Sequence, residues 1–148
     1  MKSPLLDIAD LPEFSKINAE QIEPALDEVL NANRSLTNSL LEKNTKYSWD
    51  NLIEPLEVAD NELERMWSPI SHMNGVVNTP EFRDAYNTCL PKLSEYSTEM
   101  GQNKVLFSAI QQIQDIFTQY LATVQYEPTE EMMVQLHLAT EAFFKRAK

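Results

Sequence analysis

The sequence predicts an all-α fold: an antiparallel bundle of about five helices with an irregular N-terminal arm. Three observations carry this expectation. Apolar residues recur in steps of three and four through most of the chain, the spacing of one helical face. Residues suited to starting a helix (Asn18, Ser48, Thr79 and Pro128) stand just ahead of those runs. Glycine is nearly absent, with only Gly75 and Gly101 among 148 residues, which disfavours the many tight turns of sandwiches and barrels. Hydrophobic residues make up 43% and charged residues 24%, a globular balance, so one domain with a packed core is expected.

Residues 1–17 read as an ordered apolar arm, and residues 18–148 as the bundle. Pro4 and Pro12 block helix in the arm, while Leu5, Leu6, Ile8, Leu11, Phe14 and Ile17 are costly to leave wet, so they should lie against the helices. The first helix is expected near 19–43. Asn18 is its N-cap, with Gln21 at capping-box spacing and Pro24 ending an introductory turn. Its seam is Ile22, Leu26, Val29, Asn33, Leu36 and Leu40.

Ser48 announces a second helix near 49–67 with the stripe Trp49, Leu52, Leu56, Ala59, Leu63 and Met66. Pro55 should start or kink it, Ser68-Pro69 should bend or end it, and Asn74-Gly75 should make a turn. Thr79-Pro80-Glu81 opens a third helix near 79–100, with Phe82, Tyr86, Cys89, Leu93, Tyr96 and Met100 on one face. Pro91 should kink it and Gly101 should stop it. A fourth helix near 104–124 carries Leu106, Ile110, Ile113, Phe117, Tyr120 and Val124. A fifth near 129–146 carries Met132, Leu136, Ala139 and Phe143.

Composition and motifs exclude several functions. The net charge of −11 repels phosphate backbones, so nucleic acid and anionic membrane are not expected partners. Two isolated glycines cannot build a P-loop or a dinucleotide-binding turn. The single Cys89 forms no internal disulfide, and the first residues do not resemble a targeting segment, so a cytoplasmic location is expected. No run approaches the roughly 18 apolar residues of a membrane span.

No catalytic, cofactor-binding or metal-binding residue is expected in the chain. A hydrolytic zinc helix needs H-E-x-x-H, and His72 and His137 are isolated, although Glu141 lies one turn after His137. Di-iron bundles need Glu-x-x-His, but Pro69 and Val134 occupy those positions. Cys89 falls on an apolar stripe and reads as a small buried hydrophobe. Asp60, Glu62 and Glu64, and the pair Glu130-Glu131, read as solvated faces or helix-start charges. Trp49, Trp67, Tyr86, Tyr96 and Phe117 sit at helical spacing and read as core, with a peptide-binding wall as the alternative.

Several stretches are more specific than periodicity. Ser68-Pro69-Ile70-Ser71-His72-Met73-Asn74 is followed by Asn78-Thr79-Pro80-Glu81-Phe82-Arg83-Asp84-Ala85-Tyr86, and then by Leu90-Pro91-Lys92-Leu93-Ser94-Glu95-Tyr96-Ser97-Thr98. Leu11-Pro12-Glu13-Phe14-Ser15-Lys16-Ile17, Ile22-Glu23-Pro24-Ala25 and Tyr47-Ser48-Trp49-Asp50-Asn51-Leu52 stand ahead of them in order. Together, from about Pro4 to Tyr126, they resemble the N-terminal helical region of the thimet oligopeptidase family of zinc metallopeptidases. The stretch Met132 to Arg146 departs from the family's pattern, which usually carries Arg-Asp-Phe and a small-residue exit there.

The resemblance implies architecture rather than chemistry. Family members hydrolyse short peptides in a deep channel, with zinc held by an H-E-x-x-H helix and a downstream Glu in the C-terminal part. None of that part is present here, so the chain should be a non-catalytic channel wall. Its expected partners are a catalytic lobe or another helical protein, and short peptides. The alternative is a free-standing helical binding module derived from that domain.

Overall fold

The computed structural model describes residues 3–6, 12–77 and 79–123. They form four helices: α1 (Ala19–Lys43), α2 (Glu54–Val76), α3 (Pro80–Gln102) and α4 (Lys104–Thr123). Short helical turns cover Pro4–Leu6, Phe14–Lys16 and Trp49–Ile53, the last a π-helical turn running directly into α2. No strand occurs among the described residues, as the near absence of glycine led one to expect. The expected helix at 129–146 lies outside the described residues, as do Ile8, Leu11 and Val124.

The helix starts follow local chemistry. The Asn18 backbone N–H donates to Gln21 Oε1 at 3.0 Å, one half of a capping box. Ser48 and Asn51 complete a reciprocal box: Ser48 N–H donates to Asn51 Oδ1 at 2.9 Å, and Asn51 N–H donates to Ser48 Oγ at 3.3 Å. Thr79 Oγ1 accepts from Phe82 N–H at 3.3 Å, with Pro80 in the first turn of α3.

Two expected stops are not stops. α2 continues through Pro69 and through Asn74-Gly75 to Val76. The stripe explains why: beyond Met66, Ile70 and Met73 are also buried, and Pro69 is buried beside them. Packing of that extra length outweighs the one hydrogen bond a proline removes. α3 likewise runs past Pro91 and Gly101 to Gln102, and α1 runs through Pro24 without an introductory turn. The cap after α3 is Asn103 rather than glycine.

The buried face of α1 is Ile22, Ala25, Leu26, Leu30, Asn33 and Thr37. Leu30 and Thr37 therefore join the expected seam, in which Val29 and Leu36 are half-buried and Val29 packs against the core. The reason is that α1 packs on both α2 and α3, so its covered face is wider than a single heptad seam. Asp27 pairs with Lys92 and Arg34 with Glu99, both at the same sequence offset of 65. A constant offset means that α1 and α3 run in the same direction.

The apolar interior forms two clusters. The first joins Leu5, Ile17, Ile22, Leu26 and Leu30 to Leu63, Met66 and Ile70 of α2 and Phe82 and Cys89 of α3. The second joins Leu52 and Ile53 to Leu106, Ala109 and Ile110 of α4. Leu5 and Ile17 thus seat part of the arm, but Phe14 is 45% exposed and only meets the His72 ring, with centroids 6.0 Å apart. Its turn presents Ile17 inward, which leaves Phe14 on the rim. Trp49 is likewise 52% exposed rather than core, because the π-helical turn carries Leu52 and Ile53 inward instead.

Candidate functional site

The α1–α3 interface is held by charge as well as by apolar packing. Lys92 Nζ lies 2.6 Å from Asp27 Oδ1 and 2.8 Å from Glu23 Oε1. The hydrogen bonds to Asp27, and then to Glu23, raise its pKa above the ordinary lysine value. One turn away Cys89 is fully buried. Desolvation, with Glu23 adding to it, pushes its thiol up to about 11. Fully buried in the apolar interior, the thiol packs as a small hydrophobe.

A polar layer crosses the bundle farther along. Asn33 Nδ2 donates to the Ala59 carbonyl at 3.2 Å, and Thr37 Oγ1 donates to the Asn33 carbonyl at 2.9 Å. Arg34 bonds Glu99 at 2.7 Å and lies over the Tyr96 ring, 5.5 Å from its centroid. Burial raises the Tyr96 pKa, against the opposing effect of a hydrogen bond with Asn33.

The residues singled out by chemistry do not converge. His72 is exposed on α2, and His137, Glu141, Glu130 and Glu131 lie outside the described residues. Glu62 and Glu64 are exposed. Among the described residues no group of three His, Cys, Asp or Glu is placed to hold a metal ion. The hydrolytic zinc of the resembled family therefore finds no fitting donor set there. One feature has no signal in the sequence. Glu64, Ser68 and His72 line a hollow of about 420 Å³ with Trp67 and Ser71, and Trp67 stacks on Tyr86 at 5.0 Å. The three polar groups follow each other at four-residue steps on α2. The row lines one side of the open hollow.

The feature with functional weight is on α4. Its stripe is buried at Leu106, Ala109 and Ile110, then emerges along the helix. Phe117 is 37% exposed, and Ile116 and Tyr120 are 59% and 62% exposed. Between Lys104 and Thr123 the only further charge is Asp115. No described helix is long and apolar enough to cross a membrane. The stripe is therefore covered at the start of α4 and open at its far end.

Comparison with known proteins places the chain in a family. Residues 26–138 match the family model for the N-terminal domain of neurolysin and thimet oligopeptidase. The match reaches into the stretch after Met132 that departs from the expected pattern. Over 109 residues the chain is 47% identical to oligopeptidase A of Haemophilus influenzae, covering 74% of this chain and 16% of the relative. Oligopeptidase A of Escherichia coli is 44% identical over 115 residues, 78% of this chain and 17% of the relative. A probable cytosolic oligopeptidase A of Arabidopsis thaliana is 31% identical over 113 residues, 76% and 16% of the two chains. No solved structure matches the chain. It spans about one sixth of the length of these curated relatives. By the match over 26–138, the chain belongs to the neurolysin/thimet oligopeptidase family and corresponds to its N-terminal domain.

Proposed function

We propose that this chain is the helical wall of a peptide channel in an oligopeptidase A-like zinc peptidase, non-catalytic by itself. In this reading residues 1–17 are a strap on a single bundle, 18–148, whose consecutive helices alternate direction. The common direction of α1 and α3 supports that alternation. The catalytic zinc, its ligands and the base belong to the rest of the enzyme, and the site of action is the cytoplasm. The substrates are short peptides, whose entry the wall restricts.

The observation that carries this reading is the α4 stripe. Its buried half shows how such residues pack, and its exposed half, Ile116, Phe117 and Tyr120, has the same composition without the cover. The remaining five sixths of the relatives supplies that cover. The chain should therefore bind a separately made C-terminal part of the Escherichia coli enzyme in analytical ultracentrifugation. Ile116→Asp with Tyr120→Asp should abolish binding while leaving the circular dichroism spectrum unchanged. A chain that captures unrelated apolar peptides equally well, and ignores that part, would instead be a free-standing binding module.

A further inference from the structure

The core is divided. The first cluster takes α3, the early half of α1, the late half of α2 and the arm residues Leu5 and Ile17. The second takes Leu52, Ile53, Leu106, Ala109 and Ile110, edged by Leu40, Leu41, Tyr47, Leu56, Met100 and Ile113. On α1 the buried polar residues Asn33 and Thr37 fall between Leu30 of the first cluster and Leu40 of the second. α4 belongs wholly to the second cluster, and all its buried residues fall within its first seven positions.

α4 is also joined to α3 by one residue. Asn103 N–H donates to the Met100 carbonyl, ending α3, and Asn103 Oδ1 accepts from Leu106 N–H at 3.0 Å, starting α4. The Asn103 N–H serves α3, while its side chain and its carbonyl, which accepts from Phe107 N–H at 2.9 Å, serve α4, so α4 can leave without uncapping α3.

We propose that α4 is a hinged helix, which lifts from the bundle about Asn103 and opens the second apolar cluster while the first stays closed. Three facts make this opening smaller than global unfolding. Among the described residues, the α4 packing that opens is that of Leu106, Ala109 and Ile110, with half-buried Ile113 beside them. The two clusters share no residue, and on α1 the hydrogen-bonded Asn33 and Thr37 stand between them. And a helix in a protein draws most of its stability from tertiary packing, so the lifted α4 frays and its amides exchange. The inference concerns this chain's own core and stands whether or not the channel-wall reading does.

Native-state hydrogen exchange on the 148-residue chain, in low denaturant and under equilibrium-opening conditions, tests it. In the unmodified chain, amides of 106–113 should exchange through an opening with a shallower denaturant dependence than those of Leu26, Met66 and Cys89. Ile22→Val, in the first cluster, should speed exchange of those three amides about fivefold and leave 106–113 unchanged. That contrast arises because Ile22 stays packed when only α4 lifts. A single denaturant dependence for all amides, or equal acceleration of 106–113 by Ile22→Val, would overturn the hinge.

Discussion

Cys89, Tyr96 and Lys92 all have pKa values raised in the folded chain, so all three weaken it on the alkaline side. For Cys89 the sign follows directly. The unfolded thiol ionises near 9.0 and the folded one near 11. Its contribution is therefore full below pH 9 and is lost as pH rises towards 11. Two pKa units correspond to about 3 kcal/mol. Urea unfolding should show the stability gap between the wild type and Cys89→Ala narrowing from pH 9 to 11. A constant gap would mean that the thiol is solvated. The burial of Cys89 was legible from its place on the α3 stripe. The Lys92 bridge to Glu23 and Asp27 was not, because it joins residues 65 or more positions apart and nothing local announces it. The same holds for Asn33. Its place in the α1 seam was readable, but its bond to the Ala59 carbonyl depends on how α2 docks.

Elements were most legible where a cap and a stripe agree. α1 begins at Ala19 after Asn18, and α3 at Pro80 after Thr79, as expected. They were least legible where a local breaker opposes packing. Pro69 and Gly75 signal an end to α2, yet Ile70 and Met73 are buried beyond the proline, and tertiary packing prevails. The arm divides in the same way: Leu5 and Ile17 are covered and Phe14 is not. Each covered side chain is worth about 1.5–3 kcal/mol before ordering entropy. Removing residues 1–17 should lower Tm by about 5 °C or more in calorimetry. An unchanged Tm would show that the arm adds nothing. On α4, Ile116→Ser and Tyr120→Ser should each change stability by less than about 0.5 kcal/mol, since both residues are mostly exposed. Ile110→Ala should cost about 2–5 kcal/mol, and urea titration separates the two outcomes.

At the scale of the molecule, the fold class was readable because glycine scarcity and 3/4 spacing are properties of the whole chain. The candidate contact face was not. Leu106 to Tyr120 form one unbroken stripe in the sequence, and only the fold shows that its first half is covered and its second half is wet. That difference is what joins structure to function here. The proposed wall reading rests on Ile116, Phe117 and Tyr120 remaining in solvent at the far end of that stripe. The most direct test of this account is reconstitution of activity. The purified chain is mixed, with zinc, with a separately expressed C-terminal part of the Escherichia coli relative, and hydrolysis of a quenched-fluorescent peptide is followed. The account predicts no turnover by the chain alone, and a rate for the mixture well above that of the C-terminal part alone, lost with Ile116→Asp and Tyr120→Asp. It would be contradicted by zinc-dependent turnover from the chain alone that a chelator abolishes and the His72→Ala, His137→Ala double substitution removes.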